Sequence, residues 1–159
     1  MELAQTIPVA IDLEAELLAA YPAMARRLVL VLRDLDDAAD VAQAAFARAL
    51  EQQHRFRGGD ARAWFYTIAL RLAFNELRRR RRASTQALAS EPAWAMSSQP
   101  DVWIALAELD APQRAALLLN VLDGYTHAEI ASMLGVPAGT VSSWLSRSKG
   151  RLRALLGDE

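Results

Sequence analysis

Apolar residues recur along most of the chain at intervals of three and four positions, which is the period of an amphipathic α-helix. The clearest stripe lies between residues 38 and 50 and consists of Ala38, Val41, Ala42, Ala45, Phe46, Ala49 and Leu50. Valine, isoleucine and threonine nowhere alternate with polar residues over the length of a strand, and glycine and proline fall between the periodic segments. The pattern predicts an all-α fold.

The periodic segments form two groups. The first group predicts a helical region over about 12–33, in which Pro22 marks a break or a fresh start. A second helix follows, with Asp36 or Asp37 as its cap. After a loop with paired glycines, a third helix begins near Ala61 and continues into a run of arginines.

The second group begins after Asp101 and predicts four helices, over 102–109, over 112–122, from 127 onward, and from about 137 to about 156. The stretch between the groups is rich in serine, alanine and proline and has no sustained period. We therefore expect a three- or four-helix bundle over 12–82, a linker over 83–100 and a helix-turn-helix domain over 101–157. Because a solvated linker rarely keeps a tryptophan, we expect Trp94 to pack on a neighbouring surface.

Residues 126–147 carry the signals of two helices joined by a tight turn. Thr126 and Glu129 fit a capping box, which predicts a helix that begins at 127. Gly135 can take the left-handed conformation that ends a helix. This is the pattern of a helix-turn-helix, although ordinary helical hairpins also use glycine turns. In such a unit the second helix enters the DNA major groove, and its outward positions here are Thr140, Ser142, Ser143, Trp144, Ser146, Arg147 and Lys149.

Positive charge is concentrated in two short segments of a chain whose net charge is -1. Residues 61–82 carry seven arginines against one glutamate, and residues 147–159 carry three arginines and one lysine against two acids. Each segment lies at the end of a predicted helix. This segregation favours two contacts with phosphate groups over an evenly solvated surface.

Composition excludes several classes of protein. The chain has no cysteine and two histidines, so it offers no disulfide, no thiolate metal site and no convincing catalytic constellation. We expect no metal, no cofactor and no enzymatic activity. The longest apolar runs, such as 28–32, are far shorter than the roughly 20 residues of a membrane span. The amino terminus is acidic where a signal peptide is basic, so we expect a protein of the cytoplasm.

The third predicted helix combines an apolar stripe with a polar, basic face. That face carries Trp64, Arg71, Asn75, Arg78 and Arg82, at spacings of seven, four, three and four. Arginines beside an aromatic ring suit a surface that follows a phosphate backbone and stacks unpaired bases. The alternative is that Trp64 and Tyr66 pack inside the domain and the arginines are a solvated helix end.

The outer face of the second predicted helix is flat and consists of small or polar residues: Ala39, Asp40, Gln43, Ala44 and Ala47. Such a face suits a docked partner helix better than solvent. Alanine is also the strongest helix former, so propensity alone is an equal explanation.

In the order of these segments the chain resembles bacterial RNA polymerase sigma factors of the extracytoplasmic-function (ECF) group. DAADVAQAAFARAL, followed by RFRGG and ARAWFYTIALRLAFNELRRRRR, is similar to the family's region 2. The segment ALAELDAPQRAALLLNVLDGYTHAEIASMLGVPAGTVSSWLSRSKGRLRALL is similar to its region 4, most specifically in GYTHAEIASMLGVPAGTV. The resemblance implies a factor that brings RNA polymerase to specific promoters and initiates transcription by DNA binding and strand opening.

The resemblance also implies partners and site residues. Region 2 would bind the β′ clamp helices of the RNA polymerase core through Asp37, Asp40, Gln43 and Phe46. It would hold the minus-ten element of promoter DNA through Arg55, Phe56, Arg57, Trp64, Tyr66, Arg71, Asn75, Arg78 and Arg79. Region 4 would contact the β flap and read the minus-35 element through Thr140, Ser142, Ser143, Trp144, Arg147, Lys149 and Arg151. An anti-sigma factor is a further expected partner.

Four positions depart from the residues that the family usually has. Ala44 stands where a glutamate is common, which weakens the expected docking on polymerase, and Arg71 stands where an asparagine often holds a minus-ten base. Ser142 and Trp144 stand where the family usually has cations. Each lost phosphate contact lowers, by about one unit, the slope of the logarithm of DNA affinity against the logarithm of salt concentration. A sigma-like interaction module with little promoter recognition therefore stays open as an alternative. A regulator that uses the helix-turn-helix alone would leave the arginine helix unexplained.

Overall fold

The computed structural model describes residues 12–83 and 99–157, and within these ranges the chain forms seven α-helices and one 3-10 turn. The helices are α1 (Leu13–Leu32), α2 (Leu35–Glu51), α3 (Ala61–Ala83), α4 (Pro100–Ala107), α5 (Ala111–Val121), α6 (His127–Leu134) and α7 (Ala138–Leu156). The 3-10 turn covers Gln53–Arg55. The all-α prediction is confirmed for the described residues. Residues 84–98 of the expected linker, with Trp94, lie outside them.

Helix α2 begins one residue after Asp34, and the expectation that Asp36 or Asp37 caps it is wrong. Arg33 ends α1 in the left-handed conformation, with φ 60°, and Asp34 follows in extended conformation. The Asp34 carboxylate accepts a hydrogen bond from the Asp37 amide at 2.9 Å. Asp36 and Asp37 lie in the first helical turn instead, where their charge opposes the positive end of the helix dipole.

Helix α1 continues through Pro22, so the expected break at this residue is wrong. Proline removes the amide that would bond the carbonyl of Leu18. Both Pro22 and Leu18 lie on the exposed side of the helix, where water can donate to that carbonyl. On the opposite side Leu17 and Met24 are almost fully buried. Packing of this buried stripe keeps the two halves of α1 in one helix.

Helices α1, α2 and α3 pack against each other and form the first module. The alanines of α2 that face its interior are completely buried, which lets the neighbouring helices approach closely. Phe46 lies edge-on to Tyr21 and to Phe65, with ring centroids 5.9 Å and 6.3 Å away. The predicted interior stripe of α2 is therefore confirmed, and its predicted outer positions are exposed.

Helices α4 to α7 form the second module, in which α7 packs against α4, α5 and α6. Ile130 of α6 and Val141 and Leu145 of α7 are buried at the crossing of these two helices. Ala131 is also buried there, and its small side chain allows the two helices to cross closely.

The two modules are packed against each other through three pairs of helices: α1 with α5, α3 with α6 and α3 with α5. The buried apolar residues of both modules form one continuous core. The first module's arginine helix therefore lies beside the second module's helix-turn-helix.

Two glycines of the second module should respond to replacement by alanine with opposite changes in stability. Gly135 has φ 68°, so we expect Gly135→Ala to lower the free energy of unfolding by about 1 kcal/mol, since an L residue is strained there. Gly150 lies inside α7 with open space around it, and Gly150→Ala should raise the free energy of unfolding by about 0.5–1 kcal/mol. Urea unfolding followed by circular dichroism measures both. Changes of the same sign would contradict this account.

Candidate nucleic-acid interface

Helices α6 and α7 form the predicted helix-turn-helix, with the predicted boundaries of α6. The Thr126 hydroxyl oxygen accepts from the Glu129 amide at 3.2 Å and donates to the Glu129 carboxylate at 3.0 Å. At the other end Gly135 is left-handed, and the Val136 amide donates to the Ala131 carbonyl at 3.1 Å. Both ends of α6 are thus fixed by local hydrogen bonds, which sets the angle at which α7 leaves the turn.

The outward face of α7 begins with three serines and an arginine that line a shallow concave surface: Ser142, Ser143, Ser146 and Arg147. All four residues are exposed. Two of them also make hydrogen-bonding contacts within the chain: Ser142 Oγ lies 2.8 Å from His127 Nδ1, and Arg147 Nε donates to the Ser143 carbonyl at 3.4 Å. This surface can donate hydrogen bonds to phosphate oxygens or to base edges.

Other residues expected on this surface are partly engaged within the chain. Thr140 and Trp144 are half-buried, and Trp144 packs on the apolar core. Lys149 Nζ donates to Asn120 Oδ1 at 3.0 Å, and Arg151 pairs with Glu108 at 3.2 Å. In this conformation the free hydrogen-bonding capacity of α7 therefore lies mostly in its first three turns.

The basic face of α3 is exposed along its carboxyl-terminal half. Arg71, Asn75, Arg78 and Arg82 are exposed as a ridge, hereafter the arginine ridge. Arg78 donates to Asn75, and Arg79 makes two hydrogen bonds to Glu76, at 3.0 Å and 2.6 Å. The Arg79 hydrogen bond holds the pKa of Glu76 below its ordinary value. Since the side chain of Arg79 stays 68% exposed, its guanidinium is accessible to a phosphate group.

The aromatic part of this surface is a pair of rings. Trp64 is half-buried at the start of α3, and its ring centroid lies 5.4 Å from that of Phe56. Arg55 and Arg57 flank Phe56 and are both exposed. Trp64 thus packs on the domain, as one of the two interpretations expected, while its partly exposed ring stays beside cationic groups.

Tyr66 departs from its expected position on the minus-ten surface. Its side chain is only 1% exposed, because it lies at the contact between the modules, 6.4 Å in centroid distance from Tyr125. Burial raises its pKa, and the hydrogen bond from Arg62 opposes that rise. In this conformation Tyr66 cannot stack on a base.

The outer face of α2 presents two of the four residues expected to bind polymerase. Asp40 and Gln43 are exposed among small residues. Phe46 is half-buried between rings of the core, and the Asp37 carboxylate lies against the guanidinium of Arg80 on α3. Asp37 and Phe46 are thus held by intramolecular contacts in this conformation, which leaves Asp40 and Gln43 as the accessible members of the set.

Four polar residues at the contact between the modules were not singled out from the sequence. Asp123 lies in the turn after α5 and pairs with Arg27 of α1 at 2.9 Å and with Arg62 of α3 at 2.6 Å. Arg114 of α5 is 5% exposed and donates to the Val31 carbonyl of α1. A lone arginine in the apolar run of α5 was the one sequence signal available for this group.

The described residues hold no cluster of three or more histidine, cysteine, aspartate or glutamate side chains that could bind a metal ion. Among the helices of the same residues none is long and apolar enough to cross a membrane.

Comparison with known proteins gives the same division of the chain as the geometry. Residues 17–83 match the model of Sigma-70 region 2, and residues 102–152 match that of Sigma-70, region 4. The chain is 31% identical over 160 residues to the ECF RNA polymerase sigma factor EcfG of Rhodopseudomonas palustris, covering 94% of this chain and 88% of that protein. It is 30% identical to the ECF RNA polymerase sigma factor SigC of Mycobacterium tuberculosis, covering 80% of this chain and 75% of that protein.

Among solved structures, the sigma factor RpoE from Bartonella quintana, crystallised with the anti-sigma factor NepR, superimposes with a TM-score of 0.79 at 29% identity. That match covers 92% of this chain and 98% of the other. Family models for both regions, in the expected order, coincide with the two helical modules and their exposed basic faces. The chain belongs to the extracytoplasmic-function group of RNA polymerase sigma factors.

Proposed function

We propose that this chain brings core RNA polymerase to a subset of promoters through two separate DNA contacts. The first module, residues 12–82, binds the β′ clamp helices with the outer face of α2 and the minus-ten element with the arginine ridge and the Phe56–Trp64 pair. The second module, residues 101–157, contacts the β flap and reads the minus-35 element with the outward face of α7. The protein performs no bond chemistry and acts in the cytoplasm with its polymerase.

The observation that carries the proposal is the exposure of two basic, hydrogen-bonding surfaces on different helices. The arginine ridge offers guanidiniums along one side of α3, beside a partly exposed aromatic pair. The start of α7 offers hydroxyl groups and Arg147 in the geometry of a recognition helix. Binding of unstacked bases beside α3 supplies the free energy for strand opening, since stacking contributes about 1–3 kcal/mol per base.

Regulation by an anti-sigma factor is part of the proposal. The solved relative from Bartonella quintana is described in complex with the anti-sigma factor NepR. The similarity over nearly the whole length of both chains supports a protein antagonist of the same general kind here.

The alternative is a sigma-like module that binds polymerase or an antagonist without effective promoter recognition. Two observations favour it: Tyr66 is buried, and Lys149 and Arg151 are engaged with Asn120 and Glu108. The departures at Ala44 and Trp144 act in the same direction.

Run-off transcription with core RNA polymerase across a library of promoters separates these functions. We expect transcripts from a small subset of the library only when this chain is present. Stable binding to polymerase without transcripts from any promoter would favour the interaction module. Absence of polymerase binding would contradict the proposed function and leave only a module that binds an antagonist.

A further inference from the structure

His127 and Ser142 form a side-chain contact between the two helices of the helix-turn-helix. His127 is the first residue of α6, and Ser142 lies near the start of α7. His127 Nδ1 lies 2.8 Å from Ser142 Oγ, and both residues are exposed. The contact therefore connects a titratable ring on the first helix to the outward face of the second.

The contact determines what the Ser142 hydroxyl can offer to a third group. A serine hydroxyl has one hydrogen to donate and two lone pairs, and a neutral imidazole nitrogen either carries a hydrogen or accepts one. If Nδ1 carries the hydrogen, it donates to Ser142 Oγ, and the hydroxyl hydrogen is left for an outside acceptor. If Nδ1 accepts, it takes the hydroxyl hydrogen, and Ser142 can only accept from outside. A neutral His127 thus allows the hydroxyl to act in either direction.

Protonation of the His127 ring removes this choice. Both nitrogens of the imidazolium carry a hydrogen, so Nδ1 can only donate to Ser142 Oγ. Histidine is the residue type whose charge ordinarily changes between about pH 5 and 8. In the major groove, guanine presents O6 and N7 as acceptors and thymine presents O4, whereas cytosine presents the N4 donor. With a protonated His127, the Ser142 hydroxyl therefore favours guanine or thymine over cytosine.

Protonation also adds charge to a surface that has little of it. The concave surface at the start of α7 is lined by three serines and by one cation, Arg147. A protonated His127, in contact with Ser142, supplies a second cation beside this surface. Each additional phosphate contact steepens the slope of the logarithm of DNA affinity against the logarithm of salt concentration by about one unit.

The charged groups around α6 leave the His127 ring free to respond to DNA. Within the described residues the ring has no ion pair, and its hydrogen-bonding contact is the one with Ser142. On α6 the Glu129 carboxylate is engaged with the cap of the same helix, and on α7 the group beside Ser142 is the cation Arg147. Helices α3 and α5 also pack against α6, and their charged residues are arginines apart from Glu76, which pairs within α3. Phosphate groups of bound DNA are therefore the anions that favour the protonated ring.

Resting on the proposed function, we propose that His127 is a specificity-determining residue of the minus-35 contact, because it sets whether the Ser142 hydroxyl donates to a base edge or accepts from it. In its protonated form the pair selects a base with an acceptor atom and adds one cation near the phosphates. In its neutral form the pair tolerates either kind of base and binds with a weaker salt dependence. Sequence preference at the minus-35 element thus changes with pH through one exposed side chain.

The test is a selection by the free full-length chain from a pool of randomised DNA duplexes of about 30 base pairs, at about pH 5.5 and about pH 8. Sequencing of the bound fraction gives the base preference, and titration of selected duplexes at several salt concentrations gives the slope. We expect the lower pH to raise the preference for guanine or thymine over cytosine about fivefold at one position, as one hydrogen bond allows. The slope should become steeper by about one unit.

Four variants assign these changes to the pair. His127→Leu should show no change of either quantity with pH, and His127→Lys, which carries a permanent cation, should behave at both pH values as the unsubstituted chain does at the lower one. Ser142→Ala should lose the change in base preference but keep the change in slope. His54→Leu removes the other histidine of the chain, which is also exposed, and should respond to pH as the unsubstituted chain does.

The proposal is overturned by an unsubstituted chain that selects no sequence or selects the same bases at both pH values. It is equally overturned by a pH response that persists in His127→Leu or disappears in His54→Leu. If His127→Leu loses helical circular dichroism, His127→Gln replaces it, since glutamine is also uncharged at both pH values. Neither readout uses polymerase. Loss of run-off transcription with an intact pH response therefore counts against the proposed function, and the reverse counts against the role of His127.

Discussion

Replacement of Arg114 by alanine should lower the free energy of unfolding by about 3 kcal/mol, the largest loss of stability expected for a single residue here. The Arg114 guanidinium is buried and has no carboxylate partner among its described hydrogen bonds; it donates instead to the carbonyls of Val31, Leu106 and Leu109. Val31 and Leu106 belong to the last turns of α1 and α4, where the helix dipole is negative. The Leu106 carbonyl also accepts from the Leu109 amide at 3.2 Å. The cation thus satisfies the ends of two helices in different modules.

Burial of the Arg114 guanidinium disfavours its charged form. Burial lowers its pKa to about 10, with a further contribution from Arg33 that Asp110 opposes. At neutral pH it is still protonated, so its desolvation must be offset by the carbonyls that it binds. Alanine removes the donor and leaves these carbonyls without it in a buried space, which is why the loss is large.

Urea unfolding at neutral pH, followed by circular dichroism, measures this loss. Arg114→Met should lower the free energy of unfolding by less than Arg114→Ala does. Methionine fills the space and buries no charge, although the carbonyls still lose their donor. Arg153→Ala removes an exposed arginine from α7 and should change the free energy of unfolding by less than about 0.5 kcal/mol. A loss below about 1 kcal/mol in Arg114→Ala would show that the three carbonyls find other donors.

Removal of Arg78 and Arg79 together should reduce promoter opening about tenfold or more while polymerase affinity changes less than about twofold. Both guanidiniums are on the exposed side of α3 and make only local contacts, with Asn75 and Glu76. Their neighbour Arg80 faces the opposite way, against Asp37 of α2, the helix that we propose binds polymerase. The two substituted arginines therefore lie apart from the face of α2 that is proposed to bind polymerase.

Permanganate footprinting of the opened promoter and a binding titration with core polymerase measure the two quantities on the Arg78→Ala, Arg79→Ala variant. The dependence of DNA binding on salt concentration should fall by about two units, one for each phosphate contact. Arg26→Ala, which removes an exposed charge from α1, controls for net charge. Equal losses of promoter opening and polymerase affinity would contradict the prediction that Arg78 and Arg79 act mainly in promoter opening.

Local chemistry explains why some elements were predictable from the sequence. The start and end of α6 depend on Thr126, Glu129 and Gly135, whose hydrogen bonds and backbone angles involve only residues within a few positions. The apolar stripes of α2 and α3 were predictable for a related reason, since a helix that carries one apolar face must bury it.

The errors arose where a distant contact, or a local turn that the sequence pattern did not show, competed with a sequence signal. Pro22 normally interrupts a helix, yet α1 continues because residues on its buried side pack against α2 and α3. Asp36 and Asp37 are good caps in isolation, but the left-handed turn at Arg33 places Asp34 in the capping position. Tyr66 was expected on the minus-ten surface from the family resemblance, with packing inside the domain as the alternative, and it is buried at the contact with the second module.

By itself the sequence determined the helices, the two modules, the helix-turn-helix and the two basic surfaces, because periodicity, capping and charge are encoded within each segment. Tertiary structure alone decided which side chains those surfaces leave accessible and which groups join the modules. Asp123 and Arg114 show the reason: a single carboxylate or guanidinium carries no periodic signal, and its role depends on atoms contributed by residues that are 96 and 83 positions away in the chain.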